Sequence, residues 1–182
     1  MPHGEEARHT RRLEPRDSIA LTEAAPWHRR ARMQLRRHLL VLAALLVALP
    51  AYALETFKTS ELTVDSANGP HKFTIELALS GAQMEQGLMF RRSLAPDAGM
   101  LFDFGAPANV TMWMKNTFIP LDMLFLDSNG RIIDIHQRAV PQSLDMISAN
   151  GPSRYVIELN GGTAERLGIK PGDKASSPYI GK

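Results

Sequence analysis

The chain has 182 residues, enough for one domain with a hydrophobic core and one additional segment. It contains no cysteine, which excludes disulfide bonds, thiolate catalysis, thiolate-bound zinc and lipid attachment to cysteine. Residues 1–53 carry nine arginines and five acidic residues, a net charge of +4, whereas residues 54–182 carry twelve basic and fourteen acidic residues, a net charge of −2. The second part therefore offers no charge argument for binding nucleic acid or an anionic membrane.

The first 53 residues have the pattern of a leader. Residues 1–32 are polar and charged without periodicity, which predicts a disordered extension. Five arginines between positions 29 and 37 precede an unbroken apolar run over residues 39–49, and Ala51-Tyr52-Ala53 follows. This pattern predicts a secretory signal peptide over residues 33–53, with cleavage after Ala53.

Alternatives to a cleaved signal peptide stay open. The apolar run is shorter than the about 20 residues that span a bilayer, yet an uncleaved signal anchor in the inner membrane is a competing interpretation. A buried core helix is disfavoured by the upstream arginines. Translation can start at Met1 or at Met33, which begins a compact basic segment. We expect a periplasmic protein, with an anchored protein that faces the periplasm as the alternative.

After a linker expected at residues 54–60, residues 61–182 predict a single domain. Seven segments combine apolar alternation or β-branched and aromatic residues with flanking turn residues, which predicts short strands. They are residues 61–65, 71–80, 110–115, 121–127, 131–140, 154–159 and the segment from residue 174 onward. Two short helices are predicted, one that begins at Ser80 with the spacing of a capping box to Gln83, and one over residues 163–167 that ends at Gly168.

The connections indicate the fold class. Asn129-Gly130 predicts a hairpin with a primed two-residue turn. Residues 121–127 are apolar on both faces except at Asp122, which predicts a central strand covered on both sides. Residues 141–152 are expected to form a long loop. Because strands and helices do not alternate, the expected fold is mainly β: a small antiparallel β-barrel or sandwich with one or two short helices, preceded by a signal segment.

Five groups of residues stand in order along this domain. They are Gln86-Gly87-Leu88-Met89-Phe90-Arg91; Gly99-Met100-Leu101-Phe102-Asp103-Phe104; Trp113-Met114-Lys115-Asn116-Thr117 with Ile119-Pro120-Leu121-Asp122; Val156-Ile157-Glu158-Leu159 with Gly161-Gly162; and Gly168-Ile169-Lys170-Pro171-Gly172-Asp173. Together they closely resemble the family called domain of unknown function 192, over nearly the whole domain. The resemblance implies a compact β-barrel-like domain, often exported, with no established activity. Met112 departs from it, because a bulky aromatic residue is expected there.

Asp122 is the first candidate site residue, because a carboxylate in an apolar strand needs a partner to stay buried and charged. The candidate partners are Lys115, Asn116, Arg91 and His136. One interpretation is a site carboxylate with Lys115 as its cation. The favoured alternative is a structural ion pair or clamp that holds the turn over residues 116–120.

The methionines and the tryptophan of the same stretch have two interpretations each. Met112 and Met114 share a face of a strand and, with His136, are a candidate site for a soft metal such as Cu(I). Core packing is favoured, because methionine fills irregular gaps. Trp113 is either a ring platform at a pocket wall or a core residue.

We therefore favour a non-enzymatic domain that binds a small molecule or a partner protein near Arg91, Trp113, Lys115, Asn116 and Asp122, because binding sites combine apolar bulk with a few polar groups. The second hypothesis is a hydrolase or transferase with Asp122 as general base, assisted by Lys115 or His136. The third is a periplasmic copper carrier. We expect a monomer without a cofactor, without nucleic-acid binding, and with membrane contact only through an uncleaved signal segment.

Overall fold

The computed structural model describes residues 54–182. The predictions for residues 1–53, including the disordered extension, the signal peptide and its cleavage site at Ala53, lie outside the described residues. Within these residues, nine strands and two helices follow in chain order: β1 Lys58–Ser66, β2 Gly69–Ala78, α1 Gly81–Gln86, β3 Ala98–Ala108, β4 Thr111–Met112, β5 Leu121–Leu126, β6 Ile132–Ala139, β7 Ile147–Ser148, β8 Ser153–Asn160, α2 Thr163–Leu167 and β9 Lys174–Ser176. Between residues 54 and 182 no helix is long and apolar enough to cross a membrane.

Seven strands form one curled sheet, a half-barrel, in the order β6-β5-β8-β3-β2-β1-β9, and β4 pairs with β7 in a separate ribbon. The predicted mainly β fold with two short helices is confirmed. All neighbours in the large sheet are antiparallel except β2 and β3, which are parallel. Residues 79–97, which include α1, make the crossover that a parallel pair requires.

The sheet is covered by apolar side chains on both faces. All six residues of β5 are buried, which confirms the central strand predicted there. Leu124 and Leu126 belong to one hydrophobic cluster, with Ile157 of β8. Met123 and Phe125 belong to the other, because successive side chains of a strand point to opposite faces. We call these the first and second clusters.

Several local predictions are confirmed. The Ser80 side chain accepts from the Gln83 N–H, and the Gln83 side-chain oxygen accepts from the Ser80 N–H, so the capping box of α1 is complete. Gly168 ends α2 in a left-handed conformation.

Other local predictions are wrong. Residues 100–104, which are not among the predicted strands, lie within the eleven-residue β3. The strand expected over residues 110–115 is reduced to the two residues of β4. β1 begins at Lys58, inside the segment expected as a linker. The loop over residues 141–152 contains β7, which pairs with β4.

The turn between β5 and β6 also differs from the predicted primed two-residue turn. Only Gly130 in this turn has a positive φ, 80°. The Asp127 N–H donates to the Arg131 carbonyl oxygen, and the Asp127 carboxylate accepts from the N–H groups of Asn129 and Arg131. The aspartate side chain thus stabilises a longer turn than the Asn-Gly pair alone would favour.

Candidate functional site

Asp122 is fully buried on β5, and backbone N–H groups hold both of its carboxylate oxygens. Oδ1 accepts from the Arg138 N–H at 2.8 Å and from the Gly162 N–H at 2.9 Å, and Oδ2 accepts from the Ala164 N–H at 2.8 Å. The carboxylate therefore fastens the end of β6 to the first turn of α2. This closed network does not leave Asp122 free to contact a substrate, which the general-base hypothesis required.

The predicted pairing of Asp122 with Lys115 is wrong, and so is the clamp expected at residues 116–120. The Lys115 ammonium lies 5.8 Å from the centre of the Trp113 ring, on the protein surface. Within residues 54–182, no carboxylate lies within ion-pair distance of Lys115. The Asp122 network holds backbone that is 16 to 42 residues distant in sequence.

Asn116 and Arg91 lie in two turns that contact each other. Asn116 has a positive φ of 56° and Phe90 one of 65°, and the Phe90 N–H donates to the Asn116 carbonyl oxygen at 2.8 Å. The Asn116 amide also contacts the Met89 sulfur at 3.9 Å. Arg91 forms an ion pair with Glu76 at 2.6 Å. Backbone bonding therefore joins the segment after α1 to the segment after β4.

A narrow crevice of about 30 Å³ lies where these two segments meet the sheet. Its lining combines α1 and the turn after it, one residue of β3, one residue of β4 with the segment after it, and one residue of β8. The lining residues are Met84, Glu85, Gln86, Gly87, Leu88, Met89, Phe102, Met112, Trp113, Thr117 and Glu158. Trp113 is 46% exposed, so its ring is accessible at the edge of the crevice.

Glu158 is the buried carboxyl group of this crevice. It lies on β8 between Met100 of β3 and Met123 of β5, and only 4% of its surface is exposed. Both of these neighbours belong to the second cluster. Burial raises the pKa of the Glu158 carboxyl from the ordinary 4.5 to about 8, because the charged form is poorly solvated there. No cation or hydrogen-bond donor of the described residues counteracts this rise in pKa.

Glu158 is not among the site residues predicted from the sequence. It appeared there only within Val156-Ile157-Glu158-Leu159, although the argument applied to Asp122 holds equally for this acid in an apolar strand. The two carboxyl groups differ in their surroundings. Asp122 meets three backbone donors, whereas Glu158 meets thioethers, aromatic rings and the crevice.

The structure does not bring the proposed copper ligands together. Met114 is fully buried in the second cluster, and His136 is exposed on β6 opposite Met123. Only Met112 of the three lines the crevice. No group of three or more His, Asp or Glu side chains that could share a metal ion occurs in the described part of the chain.

A wider groove of about 590 Å³ lies beside α2, and Arg138, Thr163 and Arg166 are among its lining residues. Arg138 is already paired with Glu165 at 2.7 Å, and both side chains are well exposed. Exposed ion pairs of this kind contribute little to stability, and their presence is weak evidence for a functional site. The crevice at Glu158 is the stronger candidate, because its lining includes a carboxyl group that is only 4% exposed and forms no hydrogen bond or ion pair within residues 54–182.

Comparisons with known proteins agree with the fold. The DUF192 family, described as an uncharacterized ACR, matches residues 62–177. The structure resembles that of a candidate transcription regulator from Sinorhizobium meliloti, with a TM-score of 0.66 and 49% identity over 69% of this chain and 98% of that one. It also resembles a protein of unknown function from Novosphingobium aromaticivorans, with a TM-score of 0.63 and 42% identity over 70% of this chain and 89% of that one. Among curated proteins, none matches the chain. The sequence and structural matches together show that this chain belongs to the DUF192 family.

Proposed function

We propose that this protein is a binding module whose ligand occupies the crevice between Trp113 and Glu158. The observation that carries the proposal is the Glu158 carboxyl, which lines the crevice on a residue that is only 4% exposed and forms no hydrogen bond or ion pair within residues 54–182. A carboxyl group that loses most of its hydration without a partner in the protein costs free energy. A ligand that supplies a hydrogen bond there recovers part of that free energy, and Trp113 offers an apolar face beside it.

Binding is better supported than catalysis. General acid–base chemistry on a bound molecule needs a group within hydrogen-bond reach of the reacting proton. Asp122 is enclosed by backbone donors, and Lys115 lies outside the crevice lining on the Trp113 ring. Glu158 and the exposed Glu85 are the two titratable groups of the lining as described.

The test is a thermal-shift screen of small molecules on the full-length chain, because a ligand that binds only the native state raises the apparent melting temperature. We expect to find ligands whose affinity falls at least tenfold in the Glu158→Gln or the Trp113→Leu variant. Glu61→Gln, which removes an exposed charge on β1, is the matched control. Hits that all respond equally to the control and to the crevice variants would contradict the proposal.

A second candidate function is transport of a soft metal ion through a different set of ligands from those predicted. Met84, Met89 and Met112 line the crevice, and thioethers suit Cu(I). Anaerobic Cu(I) titration of the full chain with Trp27→Phe should then change Trp113 fluorescence, and Met84→Leu and Met112→Leu should remove the change. Met146→Leu, at an exposed loop position, is the control. An unchanged Trp113 signal would exclude this candidate.

We further propose export to the periplasm, on the basis of the basic segment, the apolar run and the Ala51-Tyr52-Ala53 site. Mass spectrometry of the periplasmic fraction should find an N-terminus at Leu54. An intact species in the inner membrane would instead support the anchored alternative. The net charge of −2 over residues 54–182 gives no support for extending the regulator description of the Sinorhizobium meliloti protein to nucleic-acid binding here.

A further inference from the structure

We infer that the ligand of the crevice carries a primary ammonium group, which pairs with Glu158 while the adjoining apolar stem lies against Trp113. This inference rests on the proposed function and specifies the ligand class for the same site. It depends on the size of the crevice, the charges in its lining, and the acceptors and aromatic face that the lining presents.

The volume of the crevice limits what enters it. At about 30 Å³ it accommodates a group of roughly the size of one water molecule. A primary ammonium group, with a single non-hydrogen atom, fits this volume, whereas a guanidinium, with four non-hydrogen atoms, or a sugar ring exceeds it. The rest of the ligand must then remain at the rim, where Trp113 is half exposed.

The charges of the lining favour a cation. Its two titratable groups, Glu158 and Glu85, are both carboxyl groups, and no basic side chain belongs to the described lining. The strands that flank Glu158 present Met100 and Met123 and add no charge. The Lys115 ammonium lies on the ring of Trp113, and Lys115 does not belong to the lining.

The acceptors match the three N–H donors of an ammonium group. The Glu158 carboxylate supplies two oxygens. Thr117 also lines the crevice, and its hydroxyl donates to the Lys115 carbonyl oxygen at 3.4 Å, so its lone pairs stay free to accept.

The aromatic face already interacts with an ammonium group. The Lys115 Nζ lies 5.8 Å from the Trp113 ring centre, within cation–π range. Lys115 therefore competes with a cationic ligand for this ring and repels it by charge. Removal of the Lys115 ammonium should tighten binding of an amine, whereas it should weaken binding of an anion.

The experiment uses the full-length chain with Trp27→Phe, so that Trp113 is the only tryptophan, and follows its fluorescence. The probes are n-pentylamine, 1-pentanol and pentanoate, which share a stem and differ in the terminal group. A fourth probe, Nα-acetyl-lysine amide, carries the same ammonium on a peptide-like body. We expect n-pentylamine to bind at least tenfold tighter than 1-pentanol, and Nα-acetyl-lysine amide to bind better still if the natural source is a lysine side chain.

The dependence on pH separates ammonium binding from hydrogen bonding to a neutral carboxyl. Pairing with an ammonium requires the ionised Glu158, so affinity should rise about tenfold per pH unit up to about pH 8 and then level off. A ligand that accepts a hydrogen bond from the neutral carboxyl would instead bind more weakly above that pH. Glu158→Gln should lower amine affinity at least tenfold and flatten the profile, Glu61→Gln should change neither, and Lys115→Ala should tighten binding.

The outcomes also separate this inference from the proposed function. If 1-pentanol or pentanoate binds as tightly as n-pentylamine, or affinity falls with rising pH, the ammonium inference is wrong while a ligand site at Glu158 stands. If no amine binds but the thermal-shift screen finds other ligands that depend on Glu158 and Trp113, the same conclusion holds. If neither experiment finds a ligand that depends on these residues, both proposals fail. If Glu158→Gln does not fold, the pH dependence of amine affinity in the protein with Glu158 intact decides whether the ammonium inference stands.

Discussion

Replacement of Glu158 by glutamine should remove a large contribution to the pH dependence of the free energy of unfolding. Glutamine keeps the shape of the side chain and cannot ionise. In the folded protein, burial raises the pKa of Glu158 to about 8, against an ordinary 4.5 for the exposed group of the unfolded chain. The two states of the protein therefore bind this proton over different ranges of pH.

The sign follows from the proton count. Between about pH 4.5 and about 8, the folded state holds one proton that the unfolded state has lost. The free energy of unfolding consequently falls as pH rises, by about 1.4 kcal/mol per unit. Over this window the loss reaches about 5 kcal/mol, and above about pH 8 it is complete because both states are ionised.

The assay is urea unfolding of the full-length chain and of its Glu158→Gln and Glu61→Gln variants over a series of pH values. Other groups shape each profile, so the informative quantity is the difference between the Glu158→Gln variant and the unsubstituted protein. We expect this difference to be small below about pH 4.5 and to grow in favour of glutamine toward about 5 kcal/mol at high pH. The Glu61→Gln profile should follow that of the unsubstituted protein.

Parallel profiles for the glutamine variant and the unsubstituted protein would refute this reasoning. They would mean that Glu158 is ionised in the folded state at neutral pH, with a partner that compensates its burial. Amine affinity would then lack the rise up to about pH 8 that the ammonium inference expects.

Three further predictions concern the rest of the domain. Asp122→Ala leaves three backbone N–H groups without acceptors and should lower the free energy of unfolding by about 3–5 kcal/mol in urea titrations. The control Asp65→Asn, at an exposed strand position, should keep the free energy of unfolding within about 0.5 kcal/mol of that of the unsubstituted protein. Gly130 and Gly105 both have a φ of 80°, but a methyl group at Gly130 would overlap the backbone of β9, whereas one at Gly105 would meet open space. Gly130→Ala should therefore lower the free energy of unfolding by about 2–4 kcal/mol and Gly105→Ala by about 1–2 kcal/mol. Equal losses for the two variants would contradict the packing of Gly130 against β9. Trp113→Leu should shift thermal stability little, because half of the ring is exposed, while it abolishes the ligand response; a large loss of stability would instead identify Trp113 as a core residue.

Local sequence patterns predicted the elements that depend on neighbouring residues. The capping box at Ser80 formed because Gln83 lies three positions away, within one turn of helix. The central position of β5 followed from apolar residues on both of its faces. These features need no knowledge of distant segments.

Strand boundaries in the middle of the chain were predicted poorly, because pairing over long distances decides them. Residues 98–108 form a strand since β2 and β8 provide hydrogen-bond partners on either side. Residues 113–115 leave the strand geometry predicted for them, and Met114 instead donates its N–H to the Ser143 carbonyl oxygen. The parallel pairing of β2 and β3 likewise depends on the crossover through α1.

The sequence by itself determined that two carboxyl groups lie in apolar stretches, Asp122 within residues 121–127 and Glu158 within residues 154–159. Only the tertiary structure decided what each carboxyl group contacts. Asp122 receives backbone N–H groups from residues 16, 40 and 42 positions away, which makes it a structural acceptor. Glu158 receives none and borders the crevice, because the segments after α1 and β4 cover β8 with thioethers and aromatic rings. The partners of a buried charge come from distant parts of the chain, so the pattern of a single strand predicts that a partner is needed and leaves its identity to the fold.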